Sequence, residues 1–374
     1  MKQAAYVALL CMFVTFCCAG PASADGVDFG VDYTQDFLYN ADGGLSRGGG
    51  APGIINFNGA FKLDSNNVFY ADALGTFGGS ISDNVGDLQG VSNVAAYNTA
   101  KLYAAWYRHS FGTTGVSVRL GLQDYATLFN MLDPAQLFVN SSFGTDPTIS
   151  QVAPSIFPVT ALGAVARWQS ASGFYALGGV YDGVPGEPGH PAGTHIALHS
   201  GDGAFSAVEL GITGSDRQPY KLAIGGWYRS TDFADPIGRM RDGNNGFYAI
   251  GSMRVTRGNG APATSFFLQL GQAQQDRNVV KSYIGAGMTL TGLVPGRPDD
   301  VLGLGVASAQ VSSVFRRMTP ASADAETVIE LTYQTSIGKG FSLQPDVQYV
   351  IHPGASKRVD NALVVGLRVG WAWP

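Results

Sequence analysis

The 374-residue chain is 45% apolar and 14% charged, well under the roughly one quarter of charged residues usual in soluble domains. Its 23 basic against 28 acidic side chains argue against a nucleic-acid partner. No stretch after residue 25 reaches the ~20 consecutive apolar residues of a membrane helix, which excludes a helical membrane protein and leaves open one that crosses with strands.

The first residues read as a secretory leader. Lys2 precedes an apolar run from Ala4 to Cys18, and Gly20-Pro21 leads to the small residues Ala22 and Ala24 of a cleavage site. Residues 1–24 are therefore expected to be a signal peptide and 25–374 the mature domain. Cys11, Cys17 and Cys18 are the three cysteines, and all fall in the leader. The mature chain then has neither disulfides nor thiol chemistry. Without Lys2 it keeps 22 basic side chains against 28 acidic. An exported, thiol-free chain with 51 glycines, 21 Phe and 16 Tyr suits a transmembrane barrel.

Barrel strands alternate an apolar outer face with a polar inner one. In chain order, strands are predicted near 27–34, 54–63, 67–77, 99–110, 115–124, 159–168, 173–182, 204–213, 220–230, 246–257, 263–272, 280–291, 301–310, 325–335, 340–350 and 361–371. In 115–124, Val116, Val118, Leu120 and Leu122 oppose Ser117, Arg119, Gly121 and Gln123, so Leu120→Arg should harm assembly and Gln123→Arg should be tolerated. Later strands repeat the pattern: Leu210 opposes Glu209, Leu222 opposes Lys221, Leu268 opposes Gln269, and Leu331 opposes Glu330. Phe341, Leu343, Pro345, Val347 and Tyr349 share a face against Ser342, Gln344, Asp346 and Gln348. The last strand sets Leu367 and Trp371 against Arg368 and Gly370. Residues 99–110 and 173–182 are ambiguous in phase. Connections alternate, short ones such as 64–66, 111–114 and 169–172 with long ones at 35–53, 78–98, 125–158, 183–203, 231–245, 311–324 and 351–360. The reading is an all-β fold, a closed antiparallel transmembrane barrel of about sixteen strands with short periplasmic turns and long outer loops. The connection 125–158 holds Phe129, Leu132, Phe138, Phe143, Ile149 and Phe157. It is too apolar for an outer loop in water, so it is expected to fold into the lumen and narrow it.

Several strings go further. Val85-Gly86-Asp87-Leu88-Gln89-Gly90-Val91-Ser92-Asn93, Asn140-Ser141-Ser142-Phe143-Gly144-Thr145 and Pro158-Val159-Thr160-Ala161-Leu162-Gly163 resemble runs of the carbohydrate-selective porins of OprB type. So do Tyr181-Asp182-Gly183 and the stretch from Gln344 to Gly354. The resemblance spans the mature chain. It implies a sixteen-stranded outer-membrane barrel of a Gram-negative cell that passes glucose and related sugars by facilitated diffusion. The partners it implies are small sugars, outer-membrane lipids and the barrel-assembly machinery.

A sugar pore needs hydrogen bonds for hydroxyls and flat apolar surfaces for C–H faces, in a site weak enough to let solute leave. Arg119, Glu209, Glu330 and Asp346 lie mid-strand on polar faces, while Arg368, Arg167, Lys221 and Arg229 lie nearer an end. Both signs together suit a neutral polar solute. In the loop, Asp124, Asp133, Asn140, Asp146 and Gln151 offer partners for hydroxyls. Phe138 and Phe143 either stack on sugar rings or anchor the loop to the wall. For each charge, the plainer reading is a solvated lumen wall. His195 and His199 are four apart but sit among glycine and proline, which argues against a helical zinc site, and no cofactor is expected. The alternatives are a general diffusion porin and, from another class, an outer-membrane enzyme such as a lipid hydrolase, although no Ser–His pair marks one.

Overall fold

The computed structural model describes residues 26–216, 218–255 and 262–373. The leader, its cysteines and its cleavage site lie outside the described residues. Sixteen strands follow one another: β1 (Gly26–Gly44), β2 (Gly53–Lys62), β3 (Asn67–Phe77), β4 (Thr99–Ser110), β5 (Val116–Gln123), β6 (Ala161–Gln169), β7 (Phe174–Asp182) and β8 (Ala204–Ser215). Then come β9 (Gln218–Arg229), β10 (Asn244–Val255), β11 (Ala263–Ala273), β12 (Val280–Thr291), β13 (Val301–Val311), β14 (Ala325–Gly338), β15 (Phe341–Ile351) and β16 (Asp360–Trp373). Each is antiparallel to the next, and β1 pairs with β16 from Val31↔Trp373 to Gly44↔Asp360. That pairing closes the sheet, so no strand edge is left to seek a partner. Short ladders decorate the outer end, at Gly48–Gly50 on β1 and between Phe233–Ala234 and Met240–Arg241.

The outward face is apolar. Leu120 is 50% exposed, Leu210 57% and Ile224 63%, as a lipid-facing band requires. Aromatic rings gather beside the short turns: Phe61 against Phe69, Trp168 near Phe174, and Phe341 against Trp371. The turns are tight. At Gly115, where φ is +74°, a Cβ would stand 2.1 Å from the Gln169 carbonyl oxygen, so both conformation and space demand glycine.

One departure from the expected strands, and the two phases that the sequence leaves ambiguous, have physical causes. β1 runs ten residues beyond 34, because the polar side chains of Asp36 and Asn40 turn inward while Phe37 and Tyr39 face out. The predicted connection 35–53 is correspondingly shorter. In β4 the ladder with β3 skips from Asp72↔Ala104 to Ala73↔Leu102. Tyr103 is thus the extra residue of a bulge, which reverses the phase midway. In β7 the inward side chains Tyr175, Leu177 and Tyr181 are themselves apolar and buried, so alternation cannot reveal the face.

Leu120→Arg remains the sharpest test of the outer face, since an arginine at mid-bilayer costs about 2–4 kcal/mol. Gln123 is the wrong control: it is wholly buried, donating to the Gly163 carbonyl at 2.7 Å, and has no room for arginine. Ser117, which lines an open cavity inside the barrel, is the right one. Leu120→Arg should fold in lipid at clearly lower yield than Ser117→Arg. Equal yields would contradict the assigned faces.

Candidate functional site: the passage beside the inward loops

Two connections turn into the barrel. The longer, 124–160 between β5 and β6, presses an apolar side against the inner wall. Tyr125, Leu132, Phe138, Phe143, Ile149 and Val152 are fully buried. Phe138 and Phe143 stand 4.4 Å apart by ring centroids, and both meet Phe267 of β11. Tyr125 stacks on Phe129 at 5.0 Å and meets Phe205 of β8 edge-on at 5.3 Å. The wall is bare where the loop presses hardest. A Cβ at Gly305 of β13 would lie 2.7 Å from the Phe138 ring, and one at Gly271 of β11 would lie 1.7 Å from Asp146 Oδ2.

Wall side chains satisfy the backbone that this docking buries. Glu330 of β14 accepts the amides of Val139 at 2.6 Å and Asn140 at 3.0 Å. Glu209 of β8 accepts the Asn130 amide at 2.8 Å and the hydroxyls of Tyr175 and Tyr248 at 2.7 Å each, with Lys221 Nζ 3.5 Å away. Gln344, Gln269 and Tyr283 donate to the carbonyls of Leu137, Phe143 and Ser142. Within the loop, Asn140 and Asp146 cap the single turns Ser141–Gly144 and Pro147–Ser150. Burial pushes the Asp146 carboxyl up to about 6. The shorter connection, 78–98 between β3 and β4, docks likewise. Glu326 accepts the amides of Leu88 and Gln89, Gln348 donates to the Val91 carbonyl, and Ser92 donates to Asp36. Arg368 of β16 closes on Asp36 with two bonds of 2.6 and 2.9 Å and reaches Asn93.

These contacts reassign most of the residues singled out by sequence. Phe138 and Phe143 have no exposed ring face for a sugar: they anchor the loop. Glu209, Glu330 and Asn140 are wholly buried, and Asp146 and Asp346 nearly so. A group without exposed atoms cannot meet solute, so all five act on the scaffold. The Asp346 carboxyl meets that of Glu330 and accepts from Gln348. Arg368 is spent on Asp36. Asp133, at the start of the turn Asp133–Leu137, is exposed on the loop. Arg119 and Asp124 do line open space.

That space lies between the loop and the wall of β1–β6, a cavity of about 620 Å³. Arg119 and Asp124 are joined there by Tyr70, Asp72, Trp106, Asn58, Asp32 and two further arginines, Arg108 and Arg167. Trp106 of β4 stacks with Tyr70 of β3, 4.9 Å away, and the Arg119 guanidinium of β5 lies over its ring, also at 4.9 Å. Cation–π attraction and a bond to Gln123 hold the guanidinium there. Each carboxylate has a donor: Asn58 for Asp32 at 2.8 Å, Asn56 for Asp72 at 3.0 and 2.9 Å, and Tyr103 for Asp124. Tyr70, Trp106 and Arg108 escaped the sequence reading because they lie in or beside the bulged strand. A net of donors and acceptors around an aromatic stack, beside a packed inward loop, suits an uncharged polyhydroxylated solute.

Residues 58–373 match the model of the carbohydrate-selective porins, OprB family. The chain belongs to that family. Porin B of Pseudomonas aeruginosa is 24% identical over 92% of this chain and 87% of its own length. The fold is that of the Pseudomonas putida OprB structure obtained at high pH, with a TM-score of 0.83, 20% identity, and coverage of 93% of this chain and 94% of that one. The low-pH structure of the same protein gives 0.61 at 15% identity, with 93% of each chain covered. This OprB-family porin is a channel of the Gram-negative outer membrane, not an enzyme, and its substrates are carbohydrates.

Proposed function

We propose that glucose-like monosaccharides cross this porin through the gap between the inward loop 125–158 and the β1–β6 wall, which makes that loop the constriction. The reading is carried by the cavity itself: open space in the barrel runs past Arg119, Asp124, Asp72, Asn58 and the Tyr70–Trp106 stack. Arg119 donates to sugar hydroxyls from a position fixed by Trp106. Asp124, Asp72 and Asn58 answer from the other side, and Thr127 and Leu128 form the loop's share of the lining. Single hydrogen bonds hold the solute at each point, so it leaves as readily as it enters, and the flow is passive.

Titrating glucose against single-channel current in a planar bilayer tests this. The wild type should show saturable block. Arg119→Ala should weaken it several-fold, since each hydrogen bond lost is worth about 0.5–1.5 kcal/mol, and Trp106→Ala should follow by releasing the guanidinium. Unchanged glucose block in Arg119→Ala would place the sugar elsewhere.

A further inference from the structure

Arg108 of β4 and Arg119 of β5 are direct cross-strand partners. Arg167 of β6 stands one step along, opposite Ser117, and all three line the cavity. Like charges facing across a ladder repel and weaken it. Of the carboxylates that share the cavity, Asp124 interacts with Arg119, while Asp32 and Asp72 accept from Asn58 and Asn56 and make no ion pair with Arg108 or Arg167 among the described residues. Arg108 shows neither a hydrogen bond nor an ion pair among the described residues, and its Nε is buried without an acceptor. Arg167 donates to Gln169 and rests over the Tyr175 ring, again with no carboxylate partner among the described residues. Guanidinium forks with unspent donors, aimed into a space large enough for a sugar, are built for an oxyanion.

We infer that the Arg108–Arg167 side of the passage is a carboxylate subsite and that this porin passes aldonic and uronic acids besides neutral sugars. The inference deepens the reading of the passage given above and rests on it. The acid group lies between the two arginines, and the hydroxyls face Asp32, Asn58 and Asp72 as those of a neutral sugar do.

The test is the permeability ratio of gluconate to glucose through the purified full chain, from the uptake of each labelled solute into proteoliposomes. Gluconate should permeate the wild type at a rate comparable to glucose. In Arg108→Gln/Arg167→Gln the ratio should fall about tenfold, the effect of losing one charge-assisted hydrogen bond's worth of attraction. Arg108→Lys/Arg167→Lys, which keeps the charge, should retain most of it. The wild-type ratio and gluconate block of glucose flux require no variant, so they decide the matter even if the glutamine protein fails to assemble. Free passage of glucose with gluconate excluded would overturn the carboxylate subsite and leave the sugar passage standing. An unchanged ratio in the folded glutamine variant would overturn the subsite as well. Exclusion of both solutes would overturn the passage itself.

Discussion

Deleting residues 135–150 is expected to raise single-channel conductance several-fold and to abolish glucose block. The deleted piece carries Phe138, Phe143 and Ile149, all fully buried against the inner wall, so its loss empties the centre of the barrel and not an outer fringe. Burying each such side chain contributes roughly 1.5–3 kcal/mol, and the variant should unfold at a distinctly lower temperature in detergent. It should still assemble, because the ladder from β1 to β16 closes without the loop. Conductance and block equal to the wild type in a folded deletion variant would show that solute does not pass this loop.

Glu330→Ala should have the second largest effect, without altering the passage lining. Its carboxylate is the acceptor for the buried amides of Val139 and Asn140, and it contacts no open space. Leaving a buried donor unsatisfied costs about 1–3 kcal/mol, and two are orphaned at once. The unfolding temperature should drop. The loop, released at its middle, should make the open-channel current noisier at unchanged ion selectivity. Glu330→Gln keeps one acceptor oxygen and should fall between the two. A quiet channel with wild-type thermal stability in Glu330→Ala would mean that packing of Phe138 and Phe143 holds the loop unaided.

The barrel was legible because the membrane imposes one rule on every strand, apolar outward, and β15 obeys it from Phe341 to Tyr349. Legibility failed where a second layer covers the inner face. Tyr175, Leu177 and Tyr181 are apolar and buried on the inner face, Tyr181 against Tyr125 of the loop, so β7 offered no contrast. Glu209 and Glu330 were read as facing water for the same reason: alternation tells which way a side chain points and nothing about what lies over it. The inward turn of 125–158 could be read from its apolar residues. That of 78–98 could not, because its buried Ile81, Val85 and Val91 are scattered among polar residues and the rest of its docking is hydrogen bonds to Glu326, Gln348 and Asp36. The stack of Tyr70, Trp106 and Arg119 depends on the bulge at Tyr103, a one-residue shift without a sequence signature of its own.

The inward loop divides the barrel's interior into two halves under different constraints. Along β7–β15 the inner wall is locked into a close-packed core in which a single added carbon at Gly305 or Gly271 has nowhere to go. Where β1–β6 border the cavity, inner side chains such as Ser117, Arg108 and Asn58 face open space. Substitutions there, at Ser117 or Arg108, change what the channel meets without removing a hydrogen bond described above. Descendants of this chain can therefore drift toward new solutes by point changes on six adjacent strands, while selection on the opposite wall holds the architecture constant.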